Sequence, residues 1–272
     1  MAEFADKYET LLLHRDRSRL HVTLNRPDVK NALNPTLIGE LRAVFEILRD
    51  RRDIKVVILR GTGGTFCAGA DLKNMEQSFT ETPKPGEKDP IAVWNRQFGA
   101  FLEMMNTSPQ VVVAAVEGFA IAGGFGILCV SDVAICTEGA GFAMSETALG
   151  IVPAQIAPFV AARIGVPQTR HLTLTAARFK GPEALRLGIV HYLVPDSAAL
   201  DAKLEEILKQ IDKCAPIANA LTKQVVMKVG SEPLSSVLDF AADKFAEARR
   251  GPEAAEGLRA FAEKRPPRWA VE

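Results

Sequence analysis

The period of apolar and polar positions changes several times along the chain, and each change marks an element. Apolar alternation predicts two short strands over 11–14 and 20–24, with the polar turn Arg15-Asp16-Arg17-Ser18 between them. Asn34-Pro35 then opens a helix, because Asn is a good N-cap and Pro in the first turn gives up no N–H that the helix needs. Leu37, Leu41, Val44, Phe45 and Leu48 recur at helical spacing and define one apolar face. β-rich apolar runs predict strands over 55–60, 111–116 and 133–136. Strands recurring between helices predict an α/β core with right-handed crossovers. Residues 77–90 are polar and Pro-rich and read as a mobile loop. From about Pro153 the pattern turns almost entirely helical, with segments over 198–211, 216–229, 234–249 and 252–264. The expected organisation is a core over 1–195 and a C-terminal helical region over 196–272 that packs on a neighbouring core or subunit.

Composition narrows the function classes. The 272 residues are 47% hydrophobic and 24% charged, which suits a soluble globular protein. A formal net charge of zero leaves no global basic field to recruit nucleic acid or an anionic membrane. The apolar run 111–130 is interrupted by Glu117 and by glycines 118, 123, 124 and 126, so it reads as a buried strand entering a glycine-rich turn. The first residues lack the basic and apolar regions of a secretory signal. Cys67, Cys129, Cys136 and Cys214 form no C-x-x-C pair and no zinc spacing. Reduced thiols, a cytoplasmic location and no metal site are the expectation.

Two segments carry candidate chemistry. Phe66-Cys67-Ala68-Gly69-Ala70-Asp71-Leu72 follows a strand and the glycine turn 61–64, and its small residues let backbone approach a ligand closely. Spacing alone favours a plain strand-to-helix turn over a ligand site. Gly118 to Gly126 runs from a strand through closely spaced glycines into an apolar stretch, 127–130, that reads as helix. The N-terminus of such a helix presents unpaired N–H groups and the positive end of its dipole. Two N–H groups aimed at one point make an oxyanion hole, which stabilises charge developing on a carbonyl oxygen. Close packing alone also accounts for the glycines.

Taken together and in order, the segments are more specific. They are 26–34 (Arg-Pro-Asp-Val-Lys-Asn-Ala-Leu-Asn), Ala-Gly-Ala-Asp-Leu, the central glycine motif, Ser145-Glu146-Thr147-Ala148-Leu149-Gly150, Gly188-Ile189-Val190 and Phe261-Ala262-Glu263-Lys264-Arg265. This series resembles the crotonase (enoyl-CoA hydratase/isomerase) family over nearly the whole chain. The resemblance implies a ββα spiral core with a C-terminal helical trimerisation region, assembled as a homotrimer or dimer of trimers. It implies an acyl-CoA thioester substrate, with coenzyme A entering as part of the substrate and no separate cofactor. It makes the Ala70 and Gly123 N–H groups the oxyanion hole and Glu146 the catalytic carboxylate. Adenine of CoA then lies against backbone near Lys30, Ala32, Ala68, Asp71 and Leu72, and Gly124 belongs to the substrate-binding turn. Phe261 and Lys264 match tail residues that reach the nucleotide, typically from a neighbouring subunit. Locally, Lys264 reads equally as a solvated lysine on an amphipathic tail helix; Glu146 also reads as a first-turn acid behind a Ser145 cap, but its position in the motif favours the catalytic role.

The departures bear on the reaction. Gly126 stands where the family's hydratases carry a first carboxylate, so Glu146 is alone. The stretch 153–160 replaces a glycine-rich segment usually followed by Thr-Gln-Arg-Leu. With Gly-Gly-Phe-Gly, this looks like the isohexenylglutaconyl-CoA hydratase branch, which acts on branched glutaconyl esters. The smallness of Gly126 is then expected to make room for a substituent at C3. The expected activity is enoyl-CoA hydration. Δ3,Δ2-enoyl-CoA isomerisation, which needs one carboxylate, is the rival, and a non-catalytic acyl-CoA-binding paralogue is the rival of another class. His14, His21, His171 and His191 lie outside these motifs.

Overall fold

β1 (Leu11–Asp16) pairs antiparallel with β2 (Arg19–Leu24) at one edge of the main sheet in the computed structural model, which describes residues 4–5, 7–71 and 86–270. The strands run further into the expected turn, which tightens to Arg17-Ser18 with Arg17 at φ 53°. β3 (Val56–Gly61) and β4 (Val111–Val116) continue the sheet in parallel. A second sheet begins with β5 (Phe119–Ile121). β6 (Val133–Thr137) returns to the main sheet, and β7 (Gly141–Ala143) and β8 (Arg178–Lys180) complete the second one. β9 (Tyr192–Val194) closes the main sheet in the order β1-β2-β3-β4-β6-β9. β8 and β9 fall inside the stretch expected to be helical. At three residues each they are too short to show an alternation.

Both faces of the central strands are buried, and the side chains divide by the two-residue period. Val57, Leu59, Val112, Ala114, Ala134 and Cys136 join the larger core. α1 (Pro35–Leu48) lays the five apolar residues read from its spacing into that core, and the Asn34 side chain caps it by accepting from the Leu37 N–H at 2.9 Å. α2 (Pro90–Asn106) adds Phe101, Leu102 and Met105. It starts where the expected loop ends, with the Asp89 carboxylate accepting from the Ile91 N–H; residues 77–85 of that loop lie outside the described residues. α3 (Gly123–Cys129) is the predicted helix after the glycines. α4 (Ala157–Thr175) is broken at Gly165 (φ 79°), two residues before Pro167, and α5 (Gly181–Arg186) leads toward β9.

The opposite strand faces, Val56, Ile58, Val113, Ala115 and Ile135, pack against α6 (Ser197–Asp212) through Leu200, Leu204, Ile207, Leu208 and Ile211. The first helix of the expected C-terminal region is therefore a layer of the core. Arg19 on β2 pins it there by pairing with Glu205 and Asp212. α7 (Pro216–Met227), α8 (Leu234–Arg250) and α9 (Pro252–Ala262) follow. α8 buries Val237 but leaves Leu234 71% and Phe245 73% exposed. No described helix is long and apolar enough to cross a membrane.

Candidate active site

Two backbone pairings build the site. Cys67 bridges Ala120 in parallel, with the Cys67 N–H donating to the Phe119 carbonyl at 2.8 Å and the Ile121 N–H to the Cys67 carbonyl at 3.0 Å. The chain then runs on from Cys67 to Ala70 and from Ala120 to Gly123, so equal steps along paired segments bring the two expected donors side by side. On the other side β5 pairs with β7 in the register Ile121↔Ala143, and the Ala122 N–H donates to the Ala143 carbonyl at 2.9 Å. Three residues beyond Ala143 the chain reaches Glu146, which lines the same cavity as Gly123.

The glycines are required by close approach. A Cβ at Gly124 would lie 2.6 Å from the Cys67 carbonyl oxygen, and one at Gly123 would lie 2.6 Å from Leu33 Cδ1. Gly124 is thus packed behind the donor strand. Ala122 is the N-cap of α3 at φ 48°, ψ −119°, a conformation costly for a residue with a Cβ. It turns the chain so that Gly123 starts the helix, where an N–H has no partner within the helix. Among the described residues, neither the Ala70 nor the Gly123 N–H donates a hydrogen bond to protein.

Arg26, quoted in the motif but given no role by sequence reasoning, holds the Ala70 loop. Its guanidinium pairs with Asp71 at 3.0 Å and donates to the Ala32 carbonyl. The buried Asn31 side chain donates to the Thr62 and Thr65 carbonyls at 3.0 and 2.7 Å, fixing the neighbouring turn. Asp71 and Ala32 therefore anchor the backbone.

Glu146 begins a 3-10 turn, Glu146–Leu149, that is tied to α4 by the Thr147 hydroxyl donating to the Thr173 carbonyl at 2.7 Å. Ser145 stands at the N-cap and Glu146 is the acid of the first turn, as the local reading has it, but Ser145 makes no side-chain capping bond. The Glu146 side chain is buried, and among the described residues its Oε2 has no hydrogen-bond partner. Burial pushes its carboxyl above the usual carboxylate range, partly offset by a backbone hydrogen bond. An unpartnered buried carboxyl raised by desolvation is suited to exchanging a proton with a bound molecule.

Glu146, Ala70 and Gly123 line one cavity of about 480 Å³. Leu33, Ile38, Phe98, Ile121, Ile151 and Ile156 make its apolar wall, and Ala68 and Asp71 border it. Lys30 lines a second cavity of about 430 Å³ with Phe119, Arg178 and Lys180; Ala68 and Ile121 border both cavities. The Lys30 ammonium sits 5.4 Å from the Phe119 ring centroid.

Gly126 corrects an expectation. It is buried and does not line the cavity, and a Cβ there would lie 2.3 Å from Ile156 Cγ2. The room that the missing carboxylate was expected to free is filled by Ile156. Phe261 and Lys264 lie on and just after α9, outside both cavities of their own chain, with Phe261 86% exposed. Leu72 lies outside the described residues. Burial pushes the Cys67 and Cys129 thiols up to about 12, so neither is a nucleophile. No metal-ligating cluster occurs among the described residues.

The spiral of paired strands, the two unpaired donors and the buried carboxyl define a class, and comparison with known proteins names it. The enoyl-CoA hydratase/isomerase family profile matches residues 15–272, so the chain belongs to that family. It is similar to an enoyl-CoA hydratase/isomerase from Marinobacter aquaeolei, with TM-score 0.93 and 45% identity, covering 96% of this chain and 99% of the other. It is also similar to Pseudomonas aeruginosa AtuE, with TM-score 0.91 and 50% identity, covering 96% and 100%. Carnitinyl-CoA dehydratase of Escherichia coli K12 is 32% identical over 267 residues, 96% of this chain and 98% of the relative.

Proposed function

We propose that this family member is an enoyl-CoA hydratase that adds water across the 2,3 double bond of an acyl-CoA thioester, with a branched or glutaconyl-type acyl group. The observation that carries the reading is Glu146: buried, unpartnered at Oε2, and lining the same cavity as the Ala70 and Gly123 N–H groups. With the thioester oxygen between the two donors, the carbonyl withdraws charge from the double bond. Water adds at C3, and the negative charge collects on that oxygen as an enolate. Ionised Glu146 takes the proton from water as the C–O bond forms, and the resulting acid returns a proton to C2. A non-catalytic binder has no use for a desolvated, unpaired acid.

The second cavity, on the Lys30 side, takes the nucleotide portion of CoA, which then threads past Ala68 to the donors. Phe261 and Lys264 serve the nucleotide of a neighbouring copy in a trimer or dimer of trimers, which accounts for their exposure and for the uncovered apolar residues of α8.

Δ3,Δ2-Enoyl-CoA isomerisation is the second reading, and the single carboxylate favours it: one acid can take a proton at C2 and return it at C4. Incubating the protein with linear, 3-methyl and glutaconyl enoyl-CoA esters and weighing the products separates the two. Hydration adds the mass of water, whereas isomerisation leaves the mass unchanged.

A further inference from the structure

We infer that Asn95 and Gln155 form a specificity device that selects acyl groups carrying a hydrogen-bonding oxygen beyond C3. The inference rests on the reading of the cavity as an acyl-CoA site.

Gln155 Nε2 donates to Asn95 Oδ1 at 2.9 Å, joining the segment after Glu146 to α2. The pair sits in a seat made for it. Gly99, one turn after Asn95 on α2, is buried, and a Cβ there would lie 1.9 Å from Gln155 Oε1. Any other residue at 99 forces Gln155 out of this position. Both amides line the first cavity, and neither lines the second.

Their position follows from the helix. Phe98, beside Asn95 on the same face of α2, approaches Gly123: a Cβ there would lie 3.2 Å from its ring. Asn95 is about one turn away, roughly 5 Å along the axis. Gln155 precedes Ile156, which fills the space at Gly126. Coenzyme A leaves past Ala68 and Lys30, so the amide pair lies on the acyl side of the donors.

An amide–amide hydrogen bond uses one donor and one acceptor, whichever way the amides are turned, and leaves N–H groups over. Among the described residues no other hydrogen bond engages the Asn95 or Gln155 side chain. Much of the surrounding wall is apolar: Leu33, Ile38, Phe98, Ile151 and Ile156. A few polar groups in such a cavity orient a ligand and set specificity. A plain alkyl chain would desolvate the spare N–H groups without replacing water, whereas an oxygen acceptor satisfies them. Arg42 also lines the cavity, and its ion pair with Glu46 is long, at 3.9 Å, so a carboxylate gains attraction as well.

The test uses saturated esters of equal chain length, which bind without turning over. Calorimetry on the full chain gives Kd for valeryl-CoA, 5-hydroxyvaleryl-CoA and glutaryl-CoA; the hydroxyl ester separates hydrogen bonding from charge. Wild type should bind both oxygen-bearing esters about tenfold more tightly than valeryl-CoA. Asn95→Leu and Gln155→Leu should each erase most of that preference. Gly99→Ala keeps both amides but removes the seat, and should erase it too. If it does not fold, the two leucine variants decide alone. A wild type with no preference, or a preference surviving both leucine substitutions, overturns the inference and leaves the proposed function standing. If none of the esters binds, the acyl-CoA reading falls and the inference falls with it.

Discussion

Gly69 and Ala122 meet where the two donor segments converge: a Cβ on Gly69 would lie 3.0 Å from the Ala122 Cβ and 3.0 Å from the Ile121 carbonyl oxygen. Each residue immediately precedes a proposed oxyanion donor, Ala70 or Gly123, so this contact sets how closely the two N–H groups approach. Gly69 also holds φ +92°, which a side chain resists. Gly69→Ala should therefore push the donors apart and lower kcat by on the order of 10², with a smaller change in thioester Kd. Steady-state kinetics beside calorimetry on the folded variant checks this; an unchanged kcat would detach the contact from the chemistry.

Ala122 gives the converse prediction. Alanine to glycine normally costs stability, but here it relieves a backbone conformation worth about 1–3 kcal/mol of strain. Ala122→Gly should unfold at the same temperature as wild type or higher. A clear drop in Tm would show that the alanine methyl matters more than the strain.

Glu146→Gln should lower turnover by about 10²–10⁴ while leaving Kd for a saturated thioester nearly unchanged. It should also change the pH dependence of stability. The Glu146 carboxyl is raised by burial. Its contribution to folding is therefore full below the ordinary glutamate pKa of about 4.3 and is lost as pH rises through the raised value. Above that raised value the wild type carries a desolvated anion that the variant lacks. The Gln variant should thus be at least as stable there, and the difference should shrink as pH falls through it. Thermal unfolding of both proteins across pH reads the sign directly.

Gly126→Ala should destabilise the fold by about 1–3 kcal/mol through overpacking against Ile156. Ile156→Ala, which removes the Cγ2 methyl from that contact, should cost less in the Gly126→Ala background than in wild type, making the pair non-additive. Additive losses in denaturant unfolding would mean that the two side chains do not compete for the same space.

Much of the fold is legible in the sequence because period and capping are local. The five buried residues of α1 and the Asn34 cap follow from spacing and side-chain chemistry alone, and β4 begins and ends where its apolar run does. α2 was readable too: Asp89-Pro90 is a start signal, and Phe98, Phe101, Leu102 and Met105 keep helical spacing. The Pro-rich stretch before it obscures that signal. β8 and β9 carry no period because they are three residues long; partners in other strands define them.

The site divides in the same way. The glycines and Glu146 stand out in the sequence, but the meaning of Gly126 depends on Ile156, and the seat at Gly99 depends on Gln155. Both partners arrive from the chain after Glu146, and no local pattern announces them.

The most direct test of the central claim is one labelling measurement. Wild type and Glu146→Gln are incubated with a 3-methylglutaconyl-CoA ester in heavy-oxygen water, and the thioester products are weighed. Hydration through Glu146 gives a wild-type product heavier by one heavy water, with the label at C3, and almost none from the variant. A wild-type product of unchanged mass with a shifted double bond would contradict it and make the enzyme an isomerase.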